Sequence, residues 1–182
     1  MEELAKLKNS LQEERPVEWN SLPDIELYMD QLINYMPRQQ VAYRKDAVLT
    51  AAMVNNYIKD GLIPHPNGKR YSREHLAMLT AVCICKQVLS VKDISLVLSD
   101  ELRDNECQQF YNKLIDILDE NLIETSKMIP EEIEENKLSD AVLRLAIASY
   151  TNKLACEHLL DIIRSINNEK ELNTEAKKPN KK

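Results

Sequence analysis

TAAMVNNYIKDGLIPHPNGKRYSR, residues 50–73, is the stretch that decides the fold. Thr50 carries a side-chain oxygen suited to cap the free N–H groups of a helix's first turn. Met53, Val54, Tyr57 and Ile58 then recur at helical spacing and mark a buried side. Gly61 stands where a left-handed residue ends a helix. Pro64 and Pro66 exclude helix from the segment that follows, and Asn67-Gly68 is a hairpin-turn signal. The reading is a capped helix over 50–60, then a short β-hairpin with Leu62/Ile63 and Arg70/Tyr71 in its arms. Ser72 caps the next helix.

Working outward, Arg73 to Leu89 reads as a helix, with Leu76, Leu79, Val82 and Cys83 at helical spacing. Ser90 with Asp93 forms a capping-box variant before a helix over 91–102. Phe110, Leu114, Ile117, Leu118 and Leu122 line a helix from Asn105 to about Lys127. The longest helix spans Leu138 to Ile166, apolar over most of its circumference and so in want of partners on two sides. Upstream, Asp24 to Tyr35 reads as an amphipathic helix capped by Asp24, with Ile25, Tyr28, Met29, Leu32 and Ile33 on one face.

Composition agrees with a mainly helical chain. Only two glycines, Gly61 and Gly68, occur in 182 residues, too few for the turns of a sandwich, barrel or nucleotide-binding sheet. There is no G-x-G-x-x-G and no P-loop. Met1 to Arg15 has no apolar core of the kind a secretory signal needs, and no apolar run reaches the ~18 residues of a membrane span. Four cysteines without an export signal read as reduced thiols, so a cytoplasmic protein is expected.

The net charge of -6 conceals a division. Residues 38–92 hold 9 basic and 3 acidic residues, a net of +6, while the flanks are acidic. A basic block of this kind is the electrostatic footprint of a polyanion-binding face. Cys83-Ile-Cys85 carries no metal expectation, because residues i and i+2 point to different sides of a helix. No Ser/His/Asp or Cys/His arrangement stands in surroundings that imply nucleophilic catalysis, so neither an enzyme nor a cofactor is expected.

The block Thr50 to Leu76, with its Tyr57 four residues before Gly61-Leu62-Ile63-Pro64 and its Arg70-Tyr71-Ser72-x-x-x-Leu76, resembles the MerR-type winged helix-turn-helix regulators over about residues 45–98. It departs from them at Asn55, where those proteins usually carry a phosphate-binding Arg, and in lacking their Gly near Leu89-Ser90. Residues 19–165 are also similar to a bacterial family catalogued only as a domain of unknown function. The fold expected is mainly α: a MerR-like winged helix-turn-helix with one short β-hairpin wing, plus a C-terminal helical hairpin. The domains expected are a polar arm over 1–20, the DNA-binding head over 21–102, a helical dimerisation or effector part over 103–168, and a disordered tail over 169–182.

The resemblance implies a sequence-specific transcription regulator that binds double-stranded DNA as a homodimer through residues 105–166, bacterial and nucleoid-associated when bound. Asn55, Asn56 and Lys59 would face the major groove, with Thr50 at the helix start. Lys69, Arg70, Tyr71 and Arg73 would serve the wing, and Arg44 and Lys45 would add phosphate contacts. The competing reading is a protein-interaction module that keeps the winged-helix fold and binds no DNA. A ligand pocket between the fifth and sixth helices is a third.

Overall fold

The computed structural model describes residues 2–39 and 49–176. The chain forms two compact units, Met1–Ile133 and Glu134–Lys182. The second consists of a short 3-10 turn, Glu135–Lys137, and a long helix, α7 (Leu138–Ala176). That helix continues past Glu169, where the sequence reading places a disordered tail.

In the first unit the described elements run α1 (Glu2–Glu13), β1 (Leu27–Tyr28), α2 (Met29–Tyr35), α3 (Ala51–Lys59), β2 (Arg70–Tyr71), α4 (Arg73–Cys85), α5 (Val91–Glu101) and α6 (Cys107–Met128). The unit is mainly α, with one two-stranded antiparallel sheet. Its centre is α4, buried continuously from His75 to Cys83. A helix enclosed on this scale must be apolar all round, which explains why alanine, cysteine and threonine fill positions that a surface helix gives to charge.

The caps expected from sequence form. Thr50 Oγ1 accepts the Met53 N–H at 3.3 Å. At the other end of α3, Leu62 N–H donates to Tyr57 O at 2.9 Å and Gly61 N–H to Ile58 O at 3.1 Å. This is the Schellman pattern, and it requires the left-handed φ of +74° that Gly61 adopts. Asp93 Oδ2 accepts the Ser90 N–H at 3.3 Å while Ser90 Oγ accepts the Asp93 N–H at 3.3 Å, closing the box that starts α5. One boundary moves: α4 stops at Cys85, and Lys86 to Leu89 form a turn.

The sheet differs from the expected hairpin. Arg70–Tyr71 pairs with Leu27–Tyr28, in the register Leu27 with Tyr71 and Tyr28 with Arg70. Leu62 and Ile63 are buried loop residues, not a strand arm. Pro64 and Pro66 have no N–H to give a ladder, so this limb cannot serve as the partner. The turn itself stands, one residue along: Asn67 and Arg70 exchange backbone hydrogen bonds of 3.1 Å, placing Gly68-Lys69 at its centre. Gly68 alone takes positive φ (+62°), the pattern of a type II′ turn.

β1 also shortens the first predicted helix. Residues 24–28 are not helical; α2 begins at Met29, with the Tyr28 N–H bonded to Gln31 Oε1 at 2.9 Å in place of the expected Asp24 cap. Ile25, expected on the buried face, is exposed.

The N-terminal segment is more than a polar arm. Leu4, Leu7 and Leu11 are half-buried on α1, which packs along α6. Gln12 Nε2 donates to Ser126 Oγ at 3.4 Å, and Arg15 pairs with Asp119. Beyond α1, Val17 N–H donates to Gln39 Oε1 (2.8 Å), Gln39 Nε2 donates to the Tyr111 hydroxyl (3.1 Å), and that hydroxyl donates to Val17 O (2.6 Å). The three bonds close a ring among segments distant in sequence, with Gln39 1% and Tyr111 0% exposed. Burial pushes the Tyr111 phenol up to about 12, so it remains a donor. Thus α6 is part of the first unit, whereas the sequence reading ends the head at residue 102 and pairs residues 105–127 with the long helix.

Tyr111→Phe deletes two of the three bonds and leaves Val17 O and Gln39 Nε2 buried without that partner. Stranding buried polar groups costs about 1–3 kcal/mol. The expected outcome is an unfolding free energy in urea lowered by that amount, with m unchanged.

Candidate nucleic-acid interface

The face that the sequence reading singles out is built by α3, the turn at Gly68 and the edge of the small sheet. Val54, Tyr57 and Ile58 anchor α3 in the core. Their burial leaves Asn55, Asn56 and Lys59 exposed on its outer side. Thr50 is exposed too, its hydroxyl oxygen engaged as the helix cap. On the wing, Lys69 and Arg70 are exposed, and the cross-strand register sets the Arg70 guanidinium 5.8 Å over the Tyr28 ring. A cation–π contact of this kind restrains a long side chain without neutralising it.

Between α3 and the wing lies an open groove of about 520 Å³. Asn55 and Ile58 line it from α3, His65 and Lys69 from the wing segment, and Tyr28 and Asp30 from the start of α2. Tyr71 lines it as well but is only 4% exposed, and burial raises its phenol pKa. Tyr71 therefore leaves the set of presented side chains: the strand alternation that turns Arg70 outward turns Tyr71 into the core.

Arg73 also changes role. Its guanidinium lies 5.7 Å over the Trp19 ring, and its Nε is buried without a hydrogen bond. It braces the start of α4 against the N-terminal segment instead of standing free beside the wing. Arg44 and Lys45 lie outside the described residues. The structure thus brings Asn55 and Lys69 to one groove, places Lys59 on the same helix as Asn55, and sets Arg70 on the same wing as Lys69.

Tyr28 and His65 are groove residues that the sequence reading missed. Tyr28 fitted the helical spacing of its neighbours, and only its pairing with Arg70 reveals it as a strand residue. Leu27 is buried and Tyr28 exposed, an alternation that only the structure reveals, since two residues are too few to establish a period in sequence.

Residues 17–114, more than half of the chain, match the family model described as Domain of unknown function (DUF1836). The chain belongs to the DUF1836 family. No curated protein and no solved structure matches it significantly. The span shared with DUF1836 begins at Val17 and includes Gln39 and Tyr111, so all three members of the buried ring fall inside it, together with the groove and the first two turns of α6.

Other chemistry in this DUF1836 chain is sparse. Among the described residues no group of three or more His, Cys, Asp or Glu side chains is placed to hold a metal ion. Cys83, Cys85, Cys107 and Cys156 form no disulfide; burial raises Cys83 and pushes Cys107 up to about 11. No described helix is long and apolar enough to cross a membrane.

Behind the groove, His75 fixes the junction of wing and α4. It is buried, with its ring edge-on to Tyr71 at 5.4 Å. Its Nδ1 accepts the Ser72 N–H at 3.0 Å, which assigns the proton of the neutral ring to Nε2. Nε2 is buried near the carbonyls of Pro64 and His65 without a hydrogen bond of normal geometry. Burial lowers the pKa below the ordinary 6.5, and the opposing pull of those carbonyls, Glu74 and Glu26 does not restore it.

The sign follows from linkage. Below pH ~6.5 the unfolded chain takes up a proton at this position more readily than the folded one, so stability falls as pH drops from 7 toward 5. His75→Gln removes the titration while keeping a residue that completes a Ser-x-x-Gln capping box. Thermal unfolding measured from pH 7 to 5 should show a declining Tm in the parent chain and a flatter profile in His75→Gln. Equal slopes would remove His75 as the cause.

Proposed function

We propose that residues 21–102 bind double-stranded DNA as a MerR-like winged helix-turn-helix, and that the chain is a sequence-specific transcription regulator. In this reading α3 enters the major groove and the Gly68 turn lies on the flanking backbone. The observation that carries it is the groove, lined by Asn55 from α3 and by Lys69 from the Gly68 turn, with Asn56, Lys59 and Arg70 exposed on the same elements. The order α2, α3, Gly68 turn with β2, α4, α5 supports the winged-helix reading, with β1 giving β2 its hydrogen-bonded edge. The +6 balance of residues 38–92 supports the same partner.

The residues divide by task. Asn55 and Asn56 carry amides that can pair bidentately with adenine, which specifies sequence. Lys59, Lys69 and Arg70 supply charge, which positions the protein and makes binding salt-dependent. Homodimerisation through residues 105–166 belongs to the same proposal, and the exposed apolar side chains of α7, among them Val142, Ile147, Leu154 and Leu159, support it. Two heads would meet half-sites about one helical turn apart.

The second reading is a protein-interaction module, favoured by Asp30 on the groove wall and by Asn55 where the MerR-type pattern has Arg. One experiment separates the two. Duplex DNA enriched from genomic fragments is titrated with the full chain at several salt concentrations. DNA reading predicts two chains per duplex and a linear log–log salt dependence. Lys59→Ala/Lys69→Ala/Arg70→Ala should flatten that slope by about 2.7 per head, at ~0.9 for each phosphate left without its cation. No enrichment and no binding at about 50 mM salt would favour the interaction module.

A further inference from the structure

A second concavity lies away from the groove, wholly within the first unit. It is a pocket of about 130 Å³, open to solvent on one side and lined by the C-terminal half of α4, by α5 and by the first part of α6. Ala81, Ile94, Val97, Leu98, Phe110 and Leu114 form most of its wall.

Its chemistry limits the occupant. The wall is almost entirely apolar, and a water there would lack the two to four polar partners it needs. The two charged residues at the pocket, Glu101 and Lys113, satisfy each other: Lys113 Nζ donates to both Glu101 carboxylate oxygens, at 2.8 and 2.7 Å. That pair also ties α5 to α6 beside the pocket. No charge at the pocket wall is therefore left over to select an ionic ligand.

Size sets the rest. A dry apolar cavity of roughly 150 Å³ is known to accept benzene. A space of 130 Å³ is comparable in volume, though open on one side, and is far too small for a helix or an extended peptide. We propose that the α4–α5–α6 pocket is a binding site for an uncharged, compact apolar molecule of about benzene size. None of its wall residues is on α3 or in the Gly68 turn, while Phe110 and Leu114 fall within the segment proposed for dimerisation.

The test uses the full chain with isotope-labelled Ile, Leu and Val methyl groups, and benzene itself as the probe. Saturable shifts are expected at Ile94, Val97, Leu98 and Leu114, together with a raised Tm. Val97→Phe fills the space and should abolish those shifts while the remaining methyl spectrum stays native. Ala81→Val, a smaller change, should weaken them and guards against a failure of the first variant to fold. The proposal is overturned by no saturable shift, by shifts that persist unchanged in folded Val97→Phe, or by shifts elsewhere only. It is equally overturned if raising the protein concentration alone perturbs Ile94, Val97 and Leu98, which lie outside the segment proposed for dimerisation, because a side chain of a second copy would then fill the pocket.

Discussion

Three hydrogen bonds among Val17, Gln39 and Tyr111 hold together what the chain order separates. Each partner is the answer to another's buried polar group, so the ring has no member that can be withdrawn without stranding the rest. Its position explains the extent of the first unit. Tyr111 commits the start of α6 to the same core as α4, and Val17 draws in the segment that carries Trp19, whose ring packs against Tyr111 with centroids 6.0 Å apart. The candidate face needs this frame, because α3 and the wing can act together only if the core beneath them holds one arrangement.

From the ring outward, the frame narrows to a few fixed points. α3 is defined at one end by the Thr50 cap and at the other by Gly61, whose positive φ directs Leu62 back into the core. The wing is fixed by pairing to β1 and by Tyr71, which leans on His75 at the start of α4. Exposed amides and cations therefore ride on elements whose other sides are locked. The proposed DNA reading depends on this rigidity, since a site held loosely would lose the geometry on which base discrimination depends.

Much of this was legible in the sequence, and for local reasons. Thr50, Gly61, Ser72 and Ser90 signal helix ends through hydrogen bonds made within a few residues, and all four helix ends lie where those residues place them. What was not legible depends on residues distant along the chain. β1 is only two residues long, and its partner lies more than forty positions away; nothing local distinguishes Leu27-Tyr28 from the first turn of a helix. Gln39 gives no sign in sequence that its amide is buried, nor Tyr111 that it closes a ring. At the candidate site the same rule holds. The outward positions of α3 followed from helical period, whereas the burial of Tyr71 and the stacking of Arg73 on Trp19 required the tertiary partner.

The central claim is that α3 and the wing form one DNA-facing surface on a core that does not rearrange. The most direct measurement is a backbone amide NMR titration of the full chain with a short duplex chosen by selection. The largest changes are expected at Asn55, Asn56, Lys59, Gly68, Lys69 and Arg70, while Gln39 and Tyr111 keep their free-state positions. Changes confined to α6 or α7, or none at low salt, would contradict it.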